Sequence, residues 1–405
     1  MMLTRRNMIL AGGALAIGHR AAAQAAPTIR IGMLQDASGP YSVLGGKLSF
    51  ECARQAILEL PDSAGFKVEL LSADHYNKPD TGMSIARQWI SEGVDVIMEF
   101  NNSAIALAVN SLIHDSNRVM LANNVGSAEL SGKACNTNET HWTFDTAMLA
   151  RTIGTALCDQ GGDTWYFIHA DYVFGRNLKD DTAAVVTARG GKVLGASAVP
   201  LGTTDFAAAL LSAQSSGAKV VALAVAGSDL LNGVKQAGEF GLMRGGQKVT
   251  SLVFYPQYAK SIGLNLAHGM NVAESFYWDL NDRTRAFTSR VTPRTQGMVP
   301  YMGAAGAYSA VRHYLKAVAA LGPSAAKASG AAAVAKMKEI PVEDDVLSNA
   351  SMRPDGRVVS DVYLFEIKRP EDSHSEWDVY QWRATIGPDR AWRPLVDGNC
   401  PLVKA

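Results

Sequence analysis

Residues 29–46 read Ile29-Arg30-Ile31-Gly32-Met33-Leu34-Gln35-Asp36-Ala37-Ser38-Gly39-Pro40-Tyr41-Ser42-Val43-Leu44-Gly45-Gly46, and this stretch decides the fold. Ile29, Ile31, Met33 and Leu34 form a short, nearly unbroken apolar run, as suits a parallel strand covered on both faces. Asp36 to Pro40 is a turn of residues that bond to or pre-set their own backbone. After Gly45-Gly46, Leu48, Cys52, Ala53, Ala56, Ile57 and Leu60 share one helical face. The unit is strand, polar loop, helix. In an open α/β sheet, ligands meet the chain beyond the carboxyl ends of the strands, so the loop carrying Tyr41 is the first candidate site.

The same unit repeats downstream. Strands are expected at 67–71, 94–98 and 118–122, and helices over 79–90 and from Asn102-Ser103 to about His114. The alternation restarts with a helix over 147–159 and strands at 164–168, 192–199, 219–225 and 250–254, separated by helices. This predicts an α/β protein of two doubly wound parallel sheets, about five strands each. The remainder is less regular: an alanine-rich helix over 302–321, an Ala/Ser-rich stretch over 324–335, and late strands at 358–365 and 377–382. Strand exits of a parallel sheet gather on one edge. They are 36–46, 101–103 and 123–127 in the first half, and 169–175, 226–229 and 255–258 in the second. Two such edges facing each other form a cleft, the usual place for a small ligand.

At 405 residues the chain suits two domains, and 47% hydrophobic with 19% charged residues is an ordinary globular composition. Residues 1–26 read as an export address. Arg5-Arg6 precedes a short apolar stretch and an Ala21 to Ala26 cleavage region, the pattern of a twin-arginine signal. An ordinary signal peptide with a basic start is the alternative. Without this segment 35 basic residues face 38 acidic ones, which gives no electrostatic reason to expect nucleic acid or an anionic membrane. No later stretch approaches 18 consecutive apolar residues, so a periplasmic chain, soluble after export, is expected. Of four cysteines, Cys52 and Cys158 fall on apolar helix faces, whereas Cys135 and Cys400 sit in polar loops. The Cys135–Cys400 pair is the favoured bridge. There is no Cys-x-x-Cys, so zinc held by cysteine is disfavoured, and the histidines are scattered without ligand spacing; no metal site and no cofactor is expected.

Taken together, Asp36 to Tyr41 with Gly45-Gly46, Ser127 to Leu130, Asp171 to Gly175, and Pro300-Tyr301 with Ala304, Ala305 and Tyr308 resemble a known family. The chain is similar to the type I periplasmic solute-binding proteins of ABC importers, in the branched-chain amino-acid-binding group. The resemblance runs in order over nearly the whole mature chain. It implies a monomeric, non-enzymatic protein whose two lobes close on a small ligand and present it to an inner-membrane ABC permease. It places lobe one at 28–146 with 280–353 and lobe two at 147–279 with 354–405.

Within that frame Asn102 and Ser103 sit at a helix start, which suits an anionic group or plain capping. The resemblance brings Asn124 and Val125 to the ligand, although Gly126 stands where a hydroxyl is expected. Tyr41, Tyr172, Phe174 and Tyr255 are candidate aromatic walls, and Trp142 lies near these loops. Amino-acid binders of the group hold an acid where this chain has Gln257, and the next acid is Glu274. A buried ammonium without an acid is costly, so an aromatic or hydrophobic carboxylate is the expected ligand. Asp229 is an alternative partner for an ammonium, which keeps branched-chain amino acids or amides open. A receptor's ligand sensor is a further alternative. A secreted hydrolase finds little support: Ser216-x-x-Lys219 lacks its companion motifs, and of the scattered histidines only His169 falls on a cleft loop.

Overall fold

The computed structural model describes residues 26–404. The twin-arginine segment therefore lies outside the described residues, apart from Ala26. Five strands form the first sheet: Thr28–Gln35 (β1), Lys67–Asp74 (β2), Val96–Glu99 (β3), Val119–Ala122 (β4) and Glu139–His141 (β5). Their order is β2-β1-β3-β4-β5, and every pairing is parallel. The alternation of side chains explains why the strands read as continuous apolar runs. Ile31, Met33, Val96, Met98 and Leu121 enter one core, while Leu34, Ile97, Met120 and Ala122 enter a second core on the opposite face. The helices Pro79–Ser91 and Ser103–Asp115 cover that second face, and Lys47–Leu58 and Met302–Leu321 pack together over the first.

The second parallel sheet holds Thr164–Ala170 (β6), Lys192–Val199 (β7), Val220–Ala224 (β8) and Lys248–Ser251 (β9), ordered β7-β6-β8-β9. The remaining strands are Asn271–Glu274 (β10), Ser351–Met352 (β11), Val358–Val359 (β12), Val362–Ile367 (β13) and Tyr380–Ile386 (β14). Here the sequence reading needs amending. The second parallel sheet has four strands where about five are expected, and the late strands form a separate sheet in which β13 pairs antiparallel with both β10 and β14. The expected helix over 147–159 is interrupted by a π-turn at Ala150–Gly154. His169 lies inside β6 and not on a loop, with Nδ1 3.1 Å from the Ala170 carbonyl.

The favoured bridge is present: Cys135 and Cys400 are disulfide-bonded, and Cys52 and Cys158 are free. Among the described residues no helix is long and apolar enough to cross a membrane.

Candidate functional site

The loop after β1 is built by one carboxylate. Asp36 accepts hydrogen bonds from the Gly39 amide at 2.7 Å and the Tyr41 amide at 2.9 Å, closing the turn that projects Tyr41. Asp74 braces the same loop through the Ala37 amide and the Ser38 hydroxyl. Asp36, Asp74 and His75 are close enough to hold a metal ion, but the chain already uses their polar atoms. His75 Nδ1 accepts from the Asn77 amide and Nε2 sits 2.7 Å from the Phe100 carbonyl.

The exits of the two parallel sheets meet at a narrow cleft holding about 340 Å³ of unfilled space, its open mouth included. From the first half come Tyr41, Leu44, Asn101, Ser103, Asn124, Gly126 and Phe144; from the second, Tyr172, Phe174, Ala226, Val253 and Tyr255. Six of the nine residues expected at the site therefore line it: Tyr41, Ser103, Asn124, Tyr172, Phe174 and Tyr255. The other three stand behind it. Asn102 caps its helix, accepting from the Ala104 and Ile105 amides. Val125 packs into the core, and its carbonyl lies 2.8 Å from His141 Nε2. Gln257 donates to the Val299 carbonyl at 2.8 Å. Trp142 is likewise core, edge-on to His313.

The walls are aromatic. Tyr255 stands edge-on to Phe144 with centroids 6.3 Å apart and packs on Tyr301 at 4.6 Å. Gly126 is dictated by this wall, since a Cβ there would lie 2.6 Å from the Phe174 ring. Ser103 is the first residue of its helix; Asn102 satisfies the next two amides, which leaves the Ser103 amide and hydroxyl hydrogen for a ligand. Among the described residues no charged side chain lines the cleft.

The two halves touch across the cleft. The Tyr41 and Tyr172 hydroxyl oxygens are 2.7 Å apart, and the Ser228 amide donates to the Pro40 carbonyl at 3.0 Å. Asn177 donates to the Ser127 hydroxyl at 2.9 Å and to Glu129 at 3.2 Å. This is a closed cleft. Ser216 and Lys219 are engaged elsewhere, with the Ala213 carbonyl and Asp163.

Asp229 is buried and turned to the loop after β7, accepting from the Gly202 amide at 3.0 Å and from the hydroxyl of its neighbour Ser228 at 3.3 Å. Burial pushes its pKa up to about 6. The folded protein therefore holds this proton more tightly than the unfolded chain, where an Asp titrates near ~3.9. The Asp229 contribution to stability grows as pH falls from about 6 toward 4 and is lost as pH rises through that window. Asp229→Asn is expected to flatten the dependence of melting temperature on pH between about 4 and 6. Calorimetry across that range checks it; an unchanged slope would assign the effect to the other carboxyls that burial raises, Asp181, at about 6, among them.

Parallel sheets whose strand exits close on a small aromatic cleft define a solute-binding protein of the two-sheet type. The chain belongs to the periplasmic binding protein family, the solute-binding proteins of ABC importers: that family's model matches residues 28–374. A periplasmic binding protein from Burkholderia mallei is 34% identical, with a TM-score of 0.89 over 94% of this chain and all of that one. A branched-chain amino acid ABC transporter periplasmic ligand-binding protein from Burkholderia xenovorans is 35% identical, with a TM-score of 0.81 over 92% of this chain and 99% of that one. The same fold occurs in a Rhodopseudomonas palustris ABC transporter solute-binding protein in complex with 4-hydroxybenzoate, 21% identical, with a TM-score of 0.78 over 90% of this chain and 98% of that one.

Proposed function

We propose that this protein captures a small carboxylate with an aromatic or hydrophobic body and delivers it to an inner-membrane ABC permease. The observation that carries this reading is the composition of the cleft. Aromatic rings wall it, a helix start offers unpaired donors at Ser103, and neither Gln257 nor Asp229 enters it. A carboxylate is served at Ser103. An ammonium would be buried against rings with no acid beside it, at a cost of several kcal/mol. That is more than ~100-fold in affinity.

The reading includes a binding role without catalysis, a monomer, periplasmic residence, and export through Arg5-Arg6. The lobes are 28–146 with 280–353 and 147–279 with 354–405. We amend this division at its end: the segment after β14 moves with the first lobe, because Cys400 is bonded to Cys135 and Arg393 donates to the Ala128 carbonyl. Ligand stabilises the closed form in proportion to its preference for it.

A branched-chain amino acid is the second reading, favoured by the named role of the Burkholderia xenovorans relative. A thermal-shift panel separates the two. Benzoates, cinnamates and phenylacetates are expected to raise the melting temperature, and leucine, valine, short amides and urea to leave it unmoved. A shift with leucine or valine would overturn the carboxylate reading.

A further inference from the structure

Gly126 is a glycine for the sake of another residue. Its φ lies outside the left-handed region, so its own backbone does not require glycine. What it lacks is room. A Cβ there would stand 2.6 Å from both Cδ2 and Cε2 of Phe174, and 3.6 Å from Cε2 of Phe144. Gly126 belongs to the first half and Phe174 to the second, so a ring from one half fills a notch in the other.

The helix under the ring sets its position. Phe174 lies in the first turn of Val173–Ala188 and is buried. The next residue, Gly175, packs so closely on the end of β6 that a Cβ would lie 2.2 Å from the Ala170 carbonyl oxygen. Three residues beyond Phe174, on the same helix face, Asn177 donates to the Ser127 hydroxyl and to Glu129. The helix therefore grips residues 126–129 twice, with a ring in the notch and an amide on the loop. That loop also carries the donor end of the cleft. The Ser127 amide donates to the Ser103 hydroxyl at 3.1 Å, which sets Gly126 beside Ser103, and Gly126, Ser103 and Phe174 all line the cleft.

We propose that Phe174, seated in the Gly126 notch, determines specificity by walling the cleft beside its donor end, so that the ligand has no group projecting sideways from the carbon next to its carboxylate. This rests on the carboxylate reading above and narrows it. Acids with a bare methylene or a flat ring at that carbon fit; those bearing a hydroxyl, amino or alkyl group there do not. A close-packed ring on a fixed helix resists compression. A projecting group must push Phe174 from the notch or hold the two halves apart, and either cost falls on the closed form. The notch thus counts against a branched-chain amino acid by shape, independently of the acid that its ammonium lacks.

Two substitutions test this as a bump and its hole: Gly126→Ala drives a Cβ into the ring, and Phe174→Ala removes the ring. Calorimetric titration uses phenylacetate and mandelate, which differ by one hydroxyl on the carbon next to the carboxylate. Wild type is expected to bind phenylacetate roughly tenfold more tightly or better. Phe174→Ala is expected to erase that ratio. Gly126→Ala is expected to weaken phenylacetate binding by a similar factor, and adding Phe174→Ala to it to restore the affinity of Phe174→Ala alone. A wild-type ratio retained in Phe174→Ala, or a double variant no better than Gly126→Ala, would overturn the role of the notch. Equal binding of both probes by wild type would overturn the selection against projecting groups. Wild type that ignores both probes and binds leucine would overturn the carboxylate reading and that selection together, while the same three variants titrated with leucine would still decide whether ring and notch are coupled. Wild type that binds none of the three compounds would overturn both readings. If Gly126→Ala does not fold, the probe ratios of wild type and Phe174→Ala decide the question by themselves.

Discussion

Gly227→Ala is expected to abolish tight ligand binding while leaving a folded protein. Gly227 opens the helix Gly227–Glu239 at the exit of β8, with φ of +64°. A Cβ at this position would lie 2.1 Å from the Pro40 carbonyl oxygen and 2.6 Å from Tyr41 Cδ1. The first of these is a backbone atom in a turn already fixed by Asp36, so it cannot swing aside. The neighbouring bond from the Ser228 amide to the Pro40 carbonyl would be lost as well. All of these contacts run between the two halves, so the substitution acts on the closed form far more than on the open one. Disfavouring closure by about 3 kcal/mol lowers affinity roughly 100-fold. The left-handed backbone adds a cost of about 1 kcal/mol that open and closed forms share. Gly246→Ala supplies the control, because Gly246 has φ of +89° and nothing within 4 Å of its would-be Cβ. The two variants should lose similar stability, and only Gly227→Ala should lose binding. The measurement is calorimetric titration with the aromatic acid giving the largest thermal shift, alongside small-angle scattering. Normal binding by Gly227→Ala would mean that closure does not use this contact.

How much of this was legible in the sequence depends on which kind of signal carried it. The β1 unit was readable because burial on both faces leaves a continuous apolar run, and because Asp36, Gly39 and Pro40 announce a turn. The strands that escaped notice, Glu139–His141 and Asn271–Glu274, carry acids and polar side chains that are nonetheless buried, so hydrophobic pattern says nothing of them. The cleft shows the same division. Leu44, Asn101, Gly126 and Ala226 all lie on loops that the strand exits identify, but a loop does not disclose which side chain turns inward. Phe144 was hidden for a different reason: it follows the unrecognised strand Glu139–His141 and Thr143, whose φ is +60°. Val253 reads as strand, yet β9 ends at Ser251 and releases it to the cleft. Asn102 and Gln257 stand behind the lining because bonds to nearer backbone groups hold them there, which spacing along a chain cannot reveal.

Removing the Cys135–Cys400 bridge is expected to cost about 3–5 kcal/mol of stability. The two cysteines are 265 residues apart, so the bridge closes a very long loop and restricts the unfolded chain accordingly. For a chain of this length, that corresponds to a fall in melting temperature of roughly 5 °C. The tail it secures also has contacts of its own. Trp392 donates to the Ser360 carbonyl at 2.7 Å, the Arg357 guanidinium stacks 4.1 Å over its ring, and Arg393 donates to the Ala128 and Ser131 carbonyls. These contacts remain when both cysteines become serine, so the variant should fold and keep its ligand. The loss should therefore appear as lowered stability and not as lowered affinity. Calorimetry on the double Cys→Ser variant, with thiol counts on the denatured wild type, checks both parts. Two free thiols are expected in the wild type, from Cys52 and Cys158. An unchanged melting temperature would mean that the tail's own contacts already hold it in place. A changed affinity would instead mean that the bridge bears on lobe closure, since it joins the segment after β14 to the first lobe, beside the crossing bonds of Asn177 to Ser127 and Glu129.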